Sequence, residues 1–262
     1  MKGSIVYFSH GGGPLPVLGD PGHSKMNEFM ERLPKLIDRP EAIIVFSAHW
    51  EEERISIINS ERPALYLDYY GFPDEAYKIK YEVHGNPKLA EKVFGVLQNE
   101  GIDARFESER GIDHGVFIPL KMMYPEADIP VVQISLLSGL DPLQHIKLGE
   151  LLRGLLAEQN ILIIGSGFSF HNMREFFNDS DDFDERNQSF QNWLGELVTG
   201  DSEYKEMREK LINWKDAPSA KYCHPREEHL IPLHVCVGAA GRAGEIIFDD
   251  LILGKRALAF KW

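Results

Sequence analysis

The chain has 262 residues, of which 43% are hydrophobic, and a net charge of −13, which allows one large core and an acidic surface. This charge disfavours a nucleic acid or an anionic membrane as a partner, because both are bound through basic faces that contact phosphates. We expect a cytoplasmic protein, since the sequence has no leader-like segment, no apolar stretch near the roughly 20 residues of a membrane span, and only two cysteines.

The first part of the chain predicts two buried strands that each end at a histidine. Residues 4–9 are an apolar run followed directly by His10, three glycines and a proline. Apolar residues three and four positions apart predict an amphipathic helix over residues 24–36. A second apolar run, residues 42–47, leads into a polar loop that contains His49.

The next stretch carries a charged run, an aromatic segment and further predicted elements. Residues 51–54 are typical of a solvated edge, and residues 55–59 predict a short strand beside it. Residues 65–73 are dense in aromatic side chains, which either line a pocket or pack in the core. A helix is predicted for residues 87–100 and a short strand for residues 104–106.

The middle of the chain places a third histidine at a predicted helix start. An Asp-His-Gly turn around His114 opens an apolar run that predicts a short helix. The helix dipole at that position disfavours a protonated imidazole. A strand is predicted at residues 130–136 and a helix at residues 142–157, on which His145 is interpreted as a surface residue.

A fourth histidine follows the next buried strand. Residues 160–165 are apolar and lead through glycines to His171, which repeats the design of the first strand. The acidic run at residues 179–185 is typical of an exposed loop, and residues 190–211 predict one or two surface helices.

The last predicted helix carries two more histidines. It is expected to start near Pro225 and to end at Gly241. On such a helix His229 and His234 would point about 140° apart, so both cannot face one small site. His229, which follows two glutamates near the predicted start, is the better site candidate, and His234 is predicted to lie in the core.

Closing strands at residues 245–248 and 257–262 complete an alternation of strands and helices over the whole chain. This alternation predicts one α/β domain over residues 1–262. Its expected architecture is an α/β/α sandwich with a central, largely parallel but mixed sheet.

The placement of the histidines points to chemistry at one edge of this sheet. Strands of one parallel sheet deliver the residues that follow them to the same rim, so His10, His49, His114 and His171 are expected to converge. Imidazole is a common ligand of divalent ions, and catalytic sites use three protein ligands with one position open. The sequence lacks H-E-x-x-H or C-x-x-C spacing, so histidines that merely cap strands are the alternative interpretation.

Seven motifs in chain order carry a resemblance to a known family. They are SHGGGP at residues 9–14, SAHW at 47–50, DYYGFP at 68–73, DHGVFIPL at 113–120, GSG at 165–167, HN at 171–172 and HPREEHLIPL at 224–233. Together they resemble the class III extradiol ring-cleavage dioxygenases, most closely the branch that is similar to DOPA 4,5-dioxygenase. The resemblance runs from the first predicted strand to the last predicted helix.

The resemblance implies a metal site made of His10, His49 and His229. In protocatechuate-cleaving relatives the third ligand is a glutamate, whereas this chain has His229 there. Three neutral histidines suit one divalent ion per chain, either Zn²⁺ or Fe²⁺. Glu228 would point about 100° away on the predicted helix and is a poor substitute ligand.

The resemblance also implies roles for the remaining histidines and a reaction. His171 would be the acid/base residue, with a role as fourth ligand at rest left open, and His114 would orient the substrate or dioxygen. A small aromatic diol, DOPA-like or caffeate-like, would bind the ion and lose a phenolic proton to His171. Dioxygen as co-substrate would then open the ring beside the diol to give a semialdehyde acid.

Two other classes of function are compatible with these residues. A zinc metallohydrolase would use the same three histidines to activate water. A metal-binding protein could keep the fold without the chemistry, because fold does not imply function. The joint presence of four site histidines disfavours a pure scaffold, and the sequence leaves formation of a homo-oligomer open.

Overall fold

One sheet organises the part of the chain that the computed structural model describes, residues 2–176 and 184–262. Its strands are β1 (Ser4–Ser9), β2 (Ala42–Glu52), β3 (Ile55–Ile58), β4 (Ala104–Glu107), β5 (Val131–Leu137), β6 (Ile161–Gly167), β7 (Glu245–Ile252) and β8 (Lys255–Lys261). The strand order is β4-β3-β5-β2-β6-β1-β8-β7. Residues 179–183 of the predicted acidic loop lie outside the described residues.

The centre of the sheet is parallel and its flanks include antiparallel pairs. Strand β6 pairs in parallel with both β1 and β2, while β8 runs antiparallel to β1 and β3 antiparallel to β5. The three central strands are buried on both faces, which explains their near-continuous apolar sequence. The predicted α/β class with a mixed, largely parallel sheet is confirmed.

Helices flank this sheet. They are α1 (Ser24–Arg32), α2 (Pro87–Asn99), α3 (His114–Met123), α4 (Pro142–Glu158), α5 (Met173–Phe176), α6 (Glu185–Thr199), α7 (Tyr204–Ile212), α8 (Ala220–Cys223) and α9 (Ile231–Ala240). Helix α9 packs on β6, β1 and β2, and α3 packs on β2 and β6. These two helices therefore begin next to the carboxyl ends of the central strands.

The start of the last helix differs from the prediction. Helix α9 begins at Ile231 and not near Pro225, and it ends before Gly241, which has a positive φ of 64°, as predicted. Pro225 and Pro232 could each occupy the first turn of a helix. In the structure Pro232 does so, in the first turn of α9. Glu228 and His229 therefore lie in the turn before the helix, where helical spacing does not apply.

His145 was predicted to lie on the surface, and this prediction is wrong. The residue is fully buried in α4. Its Nδ1 donates to the carbonyl of Asp141 at 2.7 Å, and its Nε2 accepts from the amide of Leu137 at 3.1 Å. The imidazole thus joins the first turn of α4 to the end of β5, a contact that helical spacing alone could not indicate.

The loop predicted at His49 is wrong, because β2 continues through it to Glu52, and the solvated edge predicted at residues 51–54 is right only for the exposed Glu53 and Arg54. Glu51 and Glu52 continue strand β2 and do not form a solvated edge. Glu52 accepts hydrogen bonds from Trp50 at 2.9 Å and from Arg105 at 3.0 Å. Glu51 binds Arg226, which lies just before the turn that carries His229.

Strand β6 approaches the turn before α9 so closely that only glycine fits. A Cβ atom added to Gly167 would lie 2.0 Å from the carbonyl oxygen of His229. That oxygen also accepts from the hydroxyl of Tyr7 at 3.0 Å and from the amide of Phe168 at 3.1 Å. The backbone of His229 is therefore fixed against the central sheet.

We expect Gly167→Ala to destabilise the protein by about 3 kcal/mol, because overpacking here forces the backbone around His229 to move. The measurement is the denaturant midpoint of unfolding. Gly154→Ala is the matched control, since Gly154 lies exposed in α4 with nothing within 4 Å of the added methyl group. The control should stabilise by about 0.5–1 kcal/mol. Equal midpoints for the two variants would contradict the close approach.

Candidate active site

Five imidazoles converge at the carboxyl ends of the central strands. His10 follows β1, His49 lies near the end of β2, His114 opens α3, His171 follows β6 and His229 precedes α9. The ring centroid of His10 lies 4.8 Å from that of His49, 5.5 Å from that of His114 and 5.2 Å from that of His229. The structure therefore brings together every histidine that the sequence placed in the site.

The hydrogen bonds of His10 determine its tautomer. The hydroxyl of Ser166 has one hydrogen, which it donates to the carbonyl of Gly115 at 2.5 Å. The 2.9 Å contact between Ser166 Oγ and His10 Nδ1 therefore has the imidazole as the donor. His10 Nε2 is left with a lone pair, and it faces His49 Nε2 at 2.9 Å. Two ring nitrogens thus meet at the centre of the site.

Asp68 holds His114 on one side of the site. One oxygen of Asp68 accepts from the backbone amide of His114 at 3.0 Å and from its Nδ1 at 2.8 Å. Burial raises the pKa of Asp68, but the hydrogen bonds from the side chain and backbone of His114 and its charge interaction together outweigh burial and lower the pKa overall. Because an ionised carboxylate only accepts, His114 carries its hydrogen on Nδ1 and presents a lone pair on Nε2. The second oxygen of Asp68 lies 3.9 Å from His49 Nδ1.

A second carboxylate, Glu228, holds the opposite side. Its Oε1 lies 3.1 Å from His171 Nδ1 and 3.0 Å from His229 Nδ1. The two imidazole rings stack with centroids 3.4 Å apart and planes 16° from parallel. The expectation that Glu228 points about 100° away from His229 is wrong, because both residues precede α9.

A buried ionisable network supports the start of α3. Asp113 is fully buried, accepts from the hydroxyl of Ser47 at 2.7 Å and binds the amide of Gln133. Arg110 lies 3.4 Å from Asp113 and donates to the carbonyl of His49 at 3.1 Å. Burial raises the pKa of Asp113, and the nearby carboxylate of Asp68 raises it further. This network ties the end of β2 to the residue before His114.

Burial keeps the central imidazoles neutral. It lowers the pKa of His10 and of His49 well below the ordinary value, and the neighbouring histidines lower both further. Burial likewise lowers the pKa of His229 to about 3. Burial tends to raise the pKa of Glu228, but the N–H groups of His171 and His229 outweigh this and hold it well below the usual range. Neutral imidazoles thus share the site with ionised carboxylates.

The donor set fits a divalent metal ion. Among the described residues, two groups of three donors have their ligand atoms within 4.8 Å of one another, namely His10 with His49 and His114, and His171 with Glu228 and His229. The set implied by the resemblance, His10, His49 and His229, takes members from both groups. Neutral imidazole nitrogens are the ligands that Zn²⁺ and Fe²⁺ accept in proteins.

The aromatic segment contributes in more than one way. Tyr69 is buried, donates to the carbonyl of Ala76 at 2.7 Å and lies edge-on to His114, with centroids 5.9 Å apart. Phe72 packs edge-on against Tyr69 and over Gly13 of the glycine loop. Tyr70 is 92% exposed. Tyr69 therefore packs in the core, as one interpretation expected, whereas a pocket wall formed by this segment stays a prediction.

Comparison with known proteins now decides the family. Residues 3–252 match the family model described as the catalytic LigB subunit of aromatic ring-opening dioxygenase. The chain belongs to this family. It is 39% identical to dioxygenase tasH of Hapsidospora irregularis, over 98% of this chain and 85% of that protein.

Further relatives of this LigB-family chain have narrower names. It is 38% identical to a 4,5-DOPA dioxygenase extradiol of Beta vulgaris, over 90% of this chain and 87% of the relative. Its identity to a protein of the same name from Escherichia coli K12 is 30%, over 89% of this chain and 84% of the relative. The crystal structure of an uncharacterized protein from Escherichia coli K12 superimposes with a TM-score of 0.78 at 27% identity, covering 98% of both chains.

The family assignment confirms the resemblance and settles the class of enzyme. This chain is an extradiol ring-cleavage dioxygenase, and chemistry of this family implies a metal ion and dioxygen. The assignment favours ring cleavage over the hydrolase and scaffold alternatives. Within residues 2–176 and 184–262, no helix is long and apolar enough to cross a membrane.

Two residues of the site were missed as functional groups from the sequence. Asp68 stood within a motif that carried the resemblance, but no role was assigned to it. Glu228 was dismissed on a helical geometry that the chain does not adopt. For Glu228, its position next to the ligand candidate His229 was a usable signal in the sequence. Histidines that bind metals usually donate their second N–H to a carboxylate, a backbone carbonyl or water.

Proposed function

We propose that this enzyme cleaves small ortho-diphenols of the DOPA or caffeate type beside the diol, using dioxygen and one Fe²⁺ or Zn²⁺ ion per chain. The observation that carries the proposal is the convergence of five imidazoles, of which His10, His49 and His229 are held neutral by burial. Residues 1–262 would act as one catalytic domain. The names of the plant and bacterial relatives support a catechol substrate.

His10, His49 and His229 are the proposed ligands of the ion. The tautomer of His10 leaves Nε2 free to bind, and Glu228 does the same for His229. The centroid of His49 lies 5.0 Å from that of His229 and 4.0 Å from that of His114, so His114 is the competing third ligand. The resemblance in the last motif supports His229.

When bound, the ion would act as a Lewis acid toward the diol oxygens and bring dioxygen beside the ring. The residues of the chain supply the proton transfer and the orientation. His171 keeps its hydrogen on Nδ1 through Glu228, so its Nε2 is free to take a phenolic proton. Its side chain is 20% exposed, which lets that proton reach solvent. His114, fixed by Asp68, presents Nε2 as an acceptor for a hydroxyl group of the substrate.

The Fe²⁺-loaded protein, kept reduced, is expected to consume one dioxygen per catechol-type substrate and to form a yellow semialdehyde. A vicinal diol binds one ion through both oxygens, and the neighbouring imidazoles favour its deprotonation. Phenol and resorcinol, which offer a single oxygen to the ion, should be inert. An oxygen electrode and the absorbance of the product measure the reaction.

The same assay can also contradict this proposal and support the hydrolase alternative. If the Fe²⁺ form takes up no oxygen with a broad catechol panel, ring cleavage of these substrates is wrong. Hydrolysis of simple esters by the Zn²⁺ form, abolished by His49→Ala, would then identify a metallohydrolase. The His49→Ala variant is the common control for both reactions.

A further inference from the structure

Glu228 places one carboxylate oxygen between two imidazoles of different proposed function. Oε1 lies about equally far from Nδ1 of His171 and from Nδ1 of His229, at 3.1 and 3.0 Å. His171 is the proposed base and His229 the proposed ligand. We propose that Glu228 is a positioning residue that fixes the same tautomer, with hydrogen on Nδ1, in both rings, an inference that rests on the proposed function.

The contacts of Oε1 favour a positioning role over ligation of the ion by that oxygen. Oε1 forms a hydrogen bond with Nδ1 of His229 and lies 3.1 Å from Nδ1 of His171, so these two contacts occupy the lone pairs of that oxygen. The other oxygen lies 3.5 Å from Arg226. Arg226 in turn forms two bonds with Glu51, of 2.7 and 2.5 Å, at the end of β2. The guanidinium of Arg226 is anchored near Oε2 without a hydrogen bond, so the buried Oε2 keeps its lone pairs and ligation through this oxygen is one of the outcomes that the test distinguishes.

Because the two rings stack, a single carboxylate can contact both Nδ1 atoms. The rings of His171 and His229 lie 3.4 Å apart and nearly parallel, so they share one environment. With both hydrogens on Nδ1, both Nε2 atoms are free for the ion and the substrate. When His171 takes a proton, the charge lies against the carboxylate that already accepts from it, while His229 stays neutral. One residue thus sets the geometry of ligand and base together.

The test compares Glu228→Ala and Glu228→Gln with wild type. The amide oxygen of glutamine still accepts both N–H groups, so Glu228→Gln should keep both tautomers and most of the metal affinity, while alanine should lose them. Nitrogen-15 NMR of labelled histidine in the Zn²⁺-loaded protein reads the tautomers directly. Competition with a chromophoric chelator measures the affinity for Zn²⁺, which Glu228→Ala should weaken about 10- to 100-fold.

Glu227→Ala is the matched control. Glu227 is the neighbouring glutamate, is similarly covered, and binds Lys215 at 2.8 Å and Lys221 at 3.3 Å. Its removal should leave the histidine tautomers and the Zn²⁺ affinity unchanged. Circular dichroism of each variant separates loss of the fold from loss of the site.

Three results would overturn the inference. Wild-type His171 or His229 with hydrogen on Nε2 would contradict the shared tautomer. Unchanged tautomers and affinity in Glu228→Ala would remove the positioning role. Complete loss of metal in both Glu228→Ala and Glu228→Gln would make Glu228 a ligand. Because these readouts need no substrate, a failure of ring cleavage with every catechol would sink the proposed function and leave this result standing.

Discussion

Alanine at His10, His49 or His229 is expected to abolish stoichiometric metal binding. Each side chain supplies one of three protein ligands, and two imidazoles hold a divalent ion far more weakly than three. The measurement is metal content after loading with Zn²⁺, or with Fe²⁺ under anaerobic conditions, and removal of free ion. His84→Ala is the control, because His84 is exposed, whereas His145 is buried and hydrogen-bonded and would perturb the fold.

Of these three variants, His229→Ala best distinguishes between the possible sets of metal ligands. Full metal occupancy in that variant would remove His229 from the ligand set. The donor distances then point to His10, His49 and His114 as the ligands, and His114→Ala should lose the ion instead. Under the proposed set, His114→Ala retains metal and reduces turnover by more than His84→Ala does.

His171→Ala should lower turnover by roughly 10² to 10⁴ and leave most metal bound, the range expected for loss of a positioned general acid or base. Nδ1 of the stacked ring lies 3.1 Å from Glu228, which under the proposed tautomer would leave Nε2 free for a proton. Steady-state oxygen uptake at saturating catechol gives turnover, and metal analysis of the same sample gives occupancy. Loss of the ion would make His171 a fourth ligand, and unchanged turnover would exclude it as the base.

The fold was predictable because its determining features are local. Apolar runs such as 42–46 and 161–164 have no polar face, which in an α/β chain means a strand covered on both sides. Proline at the first turn marked α2 and α4, and Gly241 marked the end of α9. What failed was the start of α9, since two prolines compete there and only packing against β6 selects one.

The site was predictable only as far as strand topology allows. Parallel strands end at one rim, so the approach of His10 to His49 followed from their places after β1 and near the end of β2. The carboxylates were different. Asp68 reaches His114 across 46 positions of sequence from a segment without regular structure, and no periodicity predicts such a contact. The contact between Glu228 and His229 could be recognised only from the structure, which shows that both residues lie in the turn before α9.

The positions of the site histidines along the chain also determine when the site can form. Its histidines come from segments that extend from residue 10 to residue 229, and each contact among them closes a long loop whose entropy opposes early formation. A chain still emerging from the ribosome lacks the complete set until the last of these segments has folded. Under the proposed ligand set, an ion would find all three ligands only after these segments have folded. An ion present at 100 times its dissociation constant would then add about 2.7 kcal/mol to the free energy of unfolding of the finished protein.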